Sequence, residues 1–182
     1  MFLSDGYHTA SMEAIARRAG VSKKTLYARF ATKAELFTAV VRDQVATWSA
    51  RAGRFDHALP STLHERLEHH AAMFLEAQAQ PEAQAFERLL LTEARNFPEL
   101  ARIYQQTAVQ FALDLIVTEL EGAAAREQRP LRDARGAAHM FMSAVTSWSS
   151  LNSMLGVETT AAERRRVAKY RVRVFLEGRA AW

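Results

Sequence analysis

The stretch AGVSKKTLYARFATKAEL, residues 19–36, decides how the rest of the chain reads. Only Gly20 and Val21 separate two short helical patterns, expected over Ser11–Ala19 and Ser22–Phe30. Ser11 and Ser22 stand where an N-cap is needed, because a side-chain oxygen there satisfies an otherwise orphaned amide. Two short helices joined by a tight Gly turn make a helix-turn-helix. In the second helix Leu26 and Phe30 lie four apart and should face inward. Lys23, Lys24, Thr25, Tyr27, Ala28 and Arg29 are then left to solvent. A duplex major groove admits one helix, whose N-terminal side chains reach base edges. Lysine, threonine and tyrosine suit phosphates, and arginine can also grip guanine through two bonds. Lys33 opens the next helix, where free amides favour an anion. A plain solvated basic face is the competing reading; the coincidence of turn, cap and exposed aromatic weighs against it.

Working outward, apolar residues recur at three and four. Met12, Ile15, Ala16 and Ala19 form one stripe, Phe37, Val41, Val45 and Trp48 a second, and Leu63, Leu67, Ala71 and Phe74 a third. Phe86, Leu89 and Leu90 continue the pattern. Prolines 60, 81, 98 and 130 and glycines 20, 53 and 156 punctuate it. No period-two segment stands out, so the fold class is all-α, with about nine helices. Thr32–Glu35, Thr62–Glu65 and Thr160–Glu163 have the spacing of capping boxes. Residues 99–127 and 133–155 are apolar on several faces and must be covered on several sides, by the chain itself or by a second subunit.

The totals narrow the classes. The 182 residues are 49% hydrophobic, enough for a substantial core. The chain has no Cys, which removes disulfides and cysteine metal sites and suits a cytoplasmic setting. No apolar run is long enough to span a membrane, and the first ten residues are too short and polar for a signal peptide. The formal charge is +4, unevenly spread: residues 1–45 carry seven Lys/Arg against four acids. Arg164, Arg165, Arg166, Lys169, Arg171 and Arg173 form a second basic run, read as the solvated side of a long helix rather than a second nucleic-acid site.

The segment GYHTASMEAIARRAGVSKKTLYARFATKAELFTAV resembles the DNA-binding domain of TetR-family transcriptional regulators. The resemblance rests on Gly6-Tyr7, Thr9, Ile15-Ala16, Ala19-Gly20-Val21-Ser22, Thr25-Leu26-Tyr27, Phe30 and Lys33. It implies that Thr9, Ser22, Lys23, Lys24, Thr25, Tyr27, Ala28, Arg29 and Lys33 contact double-stranded DNA. Thr9, Tyr27 and Lys33 would anchor phosphates; Lys24, Ala28 and Arg29 would read bases. The family often has a bulky aromatic where this chain has Ala28, which shifts base reading toward Arg29 or lets Ala28 meet a thymine methyl. Only the last turn of the family's first helix is present, so the native chain is expected to be longer. The alternative, should it begin at Met1, is a helical small-molecule-binding protein without DNA binding.

By the same resemblance residues 1–45 form the DNA-binding domain and residues 46–182 a helical regulatory and dimerisation domain, in which EARNFPELARIYQQ (93–106) and FMSAVTSWSSLNSMLG (141–156) are similar to the AefR-like subtype. It would pair as a homodimer through its last two long helices and take a small apolar or amphipathic ligand. Phe74, Phe86, Tyr104, Phe111, Met140 and Trp148 are candidate lining residues, with His70, Gln110 and Asn152 as polar anchors. Plain core packing competes for each of them. His57, His64, His69 and His70 lack a regular ligand spacing, so no metal is expected, and no cofactor is implied. Glu87 and Glu93 fall on different helix faces, and no nucleophile–base pairing stands out, so an enzyme is not expected.

Overall fold

The computed structural model describes residues 1–53, 62–129 and 131–181. Pro60, Pro130 and His57 lie outside them, as do the side chains of Val45 and Trp48. The helices are α1 Phe2–Asp5, α2 Met12–Arg18, α3 Lys23–Arg29, α4 Lys33–Gly53, α5 Leu63–Gln78, α6 Pro81–Glu93, α7 Pro98–Tyr104, α8 Gln110–Arg126, α9 Ala134–Met154 and α10 Ala161–Glu177. No strand occurs among the described residues. A π-helical turn, Gln105–Val109, follows α7, and a 3-10 turn, Gly178–Ala181, follows α10. The segment 99–127 is therefore not one uniform helix. Within the π turn, the Thr107 hydroxyl donates to the Ile103 carbonyl at 2.7 Å, competing with the regular ladder.

Two compact units emerge. The first comprises Met1–Thr47 and Pro81–Val109, the second Trp48–Gln80 and Gln110–Trp182. The first unit is built on an aromatic cluster. Tyr7 lies 5.5 Å from Phe2, 5.5 Å from Phe37 and 5.0 Å from Phe97, ring to ring. Phe37 is fully buried and stacks on Phe86 at 5.6 Å. A buried Phe contributes about 3 kcal/mol, so this cluster is a large share of what holds α1, α4, α6 and α7 together. A smaller core of Met12, Ala16 and Leu26, flanked by Ile15, Phe30 and Leu36, joins α2 to α3. Ala19 of the first predicted stripe is exposed, because it caps α2 rather than continuing it.

In the second unit α5 packs against α8, α9 and α10. Leu67, Leu75, Leu113, Ile116, Leu120, Phe141, Val145 and Val172 are fully buried. Long basic side chains bind the helices to one another. Arg164 grips Glu76 with two bonds, at 3.1 and 2.8 Å, joining α10 to α5. Arg171 donates to the backbone carbonyl of Ala144 on α9. The run 164–173 is thus only partly a solvated face: Arg165, Arg166, Lys169 and Arg173 are exposed, whereas Arg164 and Arg171 serve packing.

Of the three capping-box patterns, Thr160–Glu163 closes in both directions. At α4, Thr32 accepts from the Glu35 amide, but the Glu35 carboxylate turns to the Ala31 amide at 2.8 Å. At α5 the Glu65 carboxylate takes the Thr62 hydroxyl at 2.7 Å.

Candidate nucleic-acid interface

The turn between α2 and α3 is set by a few backbone bonds. Gly20 has φ +68°. Its amide donates to the Arg17 carbonyl at 3.2 Å, and the next amide, Val21, donates to Ala16 at 3.0 Å. This pair of bonds is the Schellman ending, which needs a left-handed residue at that place. A Cβ on Gly20 would meet nothing within 4 Å, so the constraint there is purely one of backbone conformation. Ser11 Oγ accepts from the Ala14 amide at 3.1 Å and Ser22 Oγ from the Thr25 amide at 3.0 Å, so both caps form.

Leu26 is buried on Met12 and Ala16, and that single anchor sets the rotation of α3. Lys23, Lys24, Thr25, Tyr27, Ala28 and Arg29 are all exposed as a consequence. Tyr27 keeps 44% of its surface in solvent. The Arg29 guanidinium lies 5.8 Å from the Phe30 ring, and among the described residues Lys24 and Arg29 make no ion pair. Thr9 and Ser22 are exposed too. The Thr9 hydroxyl donates to the Asp5 carbonyl, which leaves its oxygen able to accept again.

Lys33 is placed differently from its predicted neighbours. It is half-buried, its ammonium donates to the Tyr7 carbonyl at 2.7 Å, and it lies 4.4 Å from the Tyr7 ring centre. It ties the start of α4 to the segment that precedes Thr9. That segment is also held from α6: the His8 amide donates to Glu93 at 3.4 Å, and the His8 ring lies 5.8 Å from that of Phe97.

In the sequence Glu13 is one of the four acids that oppose the basic residues of positions 1–45. Glu13, in the first turn of α2, places Oε1 3.4 Å from Lys23 Nζ and 3.4 Å from the Tyr27 hydroxyl. Its own backbone amide, and then the Lys23 ammonium, hold its carboxyl below the usual carboxylate range. No local spacing signals this contact, because it depends on how α2 packs on α3.

The candidate ligand-lining residues divide between the units. Phe86 and Tyr104 are half-buried in the first, 5.6 Å apart. Burial, then the nearby Glu87, raises the Tyr104 hydroxyl above its ordinary value. Phe74, Phe111 and Trp148 are half-buried in the second unit, and Met140 is exposed. An open groove of about 640 Å³ runs beside α4 between Phe30, Thr38 and Ala46, and none of these six residues borders it.

His70, on α5, is buried and shares the Glu119 carboxylate of α8 with Arg66; His70 Nε2 lies at 2.9 Å and an Arg66 terminal nitrogen at 2.7 Å. Burial pushes the Glu119 carboxyl up, but the hydrogen bonds and charges of His70 and Arg66 outweigh it and hold it at about 2. Gln110 bonds Asp114 at 2.7 Å, and Asn152 is half-buried. Among the described residues no group of His, Asp or Glu gathers as metal ligands would, and no helix is long and apolar enough to cross a membrane.

Residues 1–40 match the family described as bacterial regulatory proteins, tetR family. Residues 65–178 match the AefR-like transcriptional repressor, C-terminal domain. A curated relative, the HTH-type transcriptional activator FasR of Mycolicibacterium smegmatis, is 51% identical over 45 residues. That match covers 25% of this chain and only 20% of the relative's length. A TetR-family structure from Mesorhizobium loti superposes with a TM-score of 0.82 at 24% identity, over 97% of this chain and 89% of its own. The flavonoid-responsive regulator FrrA gives 0.75 at 28% identity, covering 97% and 90%. FadR of Bacillus subtilis, solved with stearoyl-CoA, gives 0.72 at 15% identity, covering 97% and 92%.

Proposed function

The chain belongs to the TetR family of bacterial regulatory proteins, and from that premise we propose that it is a DNA-binding transcriptional regulator that reads a near-palindromic operator as a homodimer. The observation that carries this reading is the rotation of α3: Leu26 is buried while Lys23, Lys24, Thr25, Tyr27, Ala28 and Arg29 face solvent together. Tyr27 and Thr9 contact phosphates. Lys24, Ala28 and Arg29, which have no competing ion pair among the described residues, read bases. Lys33 acts through the Tyr7 carbonyl, holding the Thr9 segment in place. Residues 1–45 carry operator reading and 46–182 regulation and pairing, in the cytoplasm.

Pairing is supported by apolar surface left open on the last two long helices. Met140, Leu151 and Met154 of α9 and Tyr170 and Val174 of α10 are each about half exposed. On each helix these residues recur close to the helical repeat and share a face. Two copies meeting there would form a four-helix bundle with twofold symmetry. Such a dimer sets two recognition helices one DNA turn, about 34–36 Å, apart.

The regulatory half takes a small apolar or amphipathic ligand, and its binding releases the operator, making the protein a repressor. A ligand that favours the released state by about 1–3 kcal/mol suffices. The chemistry of the solved relatives, one flavonoid-responsive and one bound to stearoyl-CoA, supports this class of ligand. Duplex selection from a random pool at low ionic strength should enrich a near-palindrome with half-sites one turn apart. Adding stearoyl-CoA or a flavonoid should then lower the anisotropy of the labelled operator. A full-length chain that remains monomeric and retains no duplex overturns the reading.

A further inference from the structure

Glu13 is the one acid that α2 turns onto the groups of α3 assigned to DNA. Its Oε1 meets Lys23 Nζ and the Tyr27 hydroxyl, both at 3.4 Å. Lys23 and Tyr27 are one helical turn apart, so a single carboxylate oxygen can serve both. A phosphate oxygen would approach the same ammonium and the same hydroxyl with the same charge and acceptor geometry. The carboxylate remains largely in water, with 43% of its side chain exposed, so it can leave without abandoning a buried partner.

We propose that Glu13 is a built-in counter-ion of the recognition helix: in the free protein its carboxylate occupies Lys23 and Tyr27, and a DNA phosphate must displace it. The phosphate gains Lys23 and Tyr27 only by breaking their contacts with Glu13, so the exchange lowers the affinity for any duplex. The electrostatic share of binding is largest where no base contacts are made. Glu13 therefore acts chiefly against sequence-independent binding, a repulsive element that raises discrimination. The competing role is purely structural, an acid in the first turn of α2 favoured by the helix dipole. That role predicts a stability effect and no link to Lys23.

This inference rests on the DNA-binding reading, and the experiment separates the two. Anisotropy with a labelled duplex of scrambled sequence, over a range of salt, compares the full-length wild type with Glu13→Gln, Lys23→Met and the double variant. Glu13→Gln should tighten binding about three- to fivefold for each recognition helix engaged. Its salt slope should steepen by about 0.9 per helix. On the Lys23→Met background the gain should shrink to less than about twofold, because no ammonium remains to be freed. Glu13→Ser repeats the measurement should glutamine disturb the α2–α3 packing. An equal gain on both backgrounds, an unchanged affinity, or a lower melting temperature alone overturns the counter-ion while leaving DNA binding standing. Failure of every protein, wild type included, to retain duplex overturns both.

Discussion

Lys23 and Arg66 are both cations facing a glutamate, yet the two regions use their charges in opposite ways. On the α2–α3 surface the Lys23–Glu13 pair is long, at 3.4 Å, and its side chains are 66% and 43% exposed. In the second unit Arg66 and His70 close on Glu119, whose side chain is only 6% exposed, at 2.7 and 2.9 Å. An exposed pair in water contributes little and exchanges readily. A buried carboxylate that has lost its water depends on every partner it has. The first region keeps its charges available for another molecule; the second consumes them in holding α5 to α8.

The largest test of that contrast is Glu119→Gln. Removing the charge leaves Arg66 and His70 facing a neutral amide in the interior and should destabilise the fold by about 3 kcal/mol in urea unfolding. A loss as small as that of an exposed pair would erase the distinction. The same site sets a pH dependence. The Glu119 carboxyl is held at about 2 in the folded chain, against an ordinary value of 4.5. Its contribution is complete above about pH 4.5 and is lost as pH falls through about 2. Melting temperature should decline over that acid window in the wild type, and less steeply in Glu119→Gln.

On the exposed side, Arg29→Ala should leave the melting temperature nearly unchanged and reduce discrimination at one base pair by about 2 kcal/mol, read by anisotropy on single-base operator variants. Uniform losses on all sequences would make Arg29 a phosphate contact instead. Gly20→Ala should cost about 1 kcal/mol, because alanine must enter the left-handed region with no clash to relieve. The smallest effect is expected for Lys24→Gln, with a stability change below about 0.5 kcal/mol. Its signature is weaker discrimination at one base pair, by about 1 kcal/mol, on single-base operator variants.

How much of this was legible in the sequence follows from the range of the interactions. The α2–α3 element was readable almost to the residue, since Ser11, Gly20 and Ser22 act on neighbours three to five positions away, and Leu26 closes on Met12 and Ala16 within the same motif. Lys33 was only half readable: its place at the start of α4 is marked by sequence, but the bond from its ammonium to the Tyr7 carbonyl, 26 positions upstream, is not. His70 stands out in the sequence as a polar residue of an apolar face, whereas nothing along the chain marks Glu119, 49 positions away, as its partner. The break at Gln105–Val109 also escaped, for neither Gly nor Pro marks it.

The order of apolar and polar positions, the serine caps and the glycine turn were enough to establish an all-helical chain with a basic recognition helix, because helix periodicity and termination are local. Which acid meets which base was decided only when the helices packed. Glu13 on Lys23, Glu76 on Arg164 and Glu119 on Arg66 each join different helices, and no spacing along the chain encodes a contact that depends on the angle between two of them.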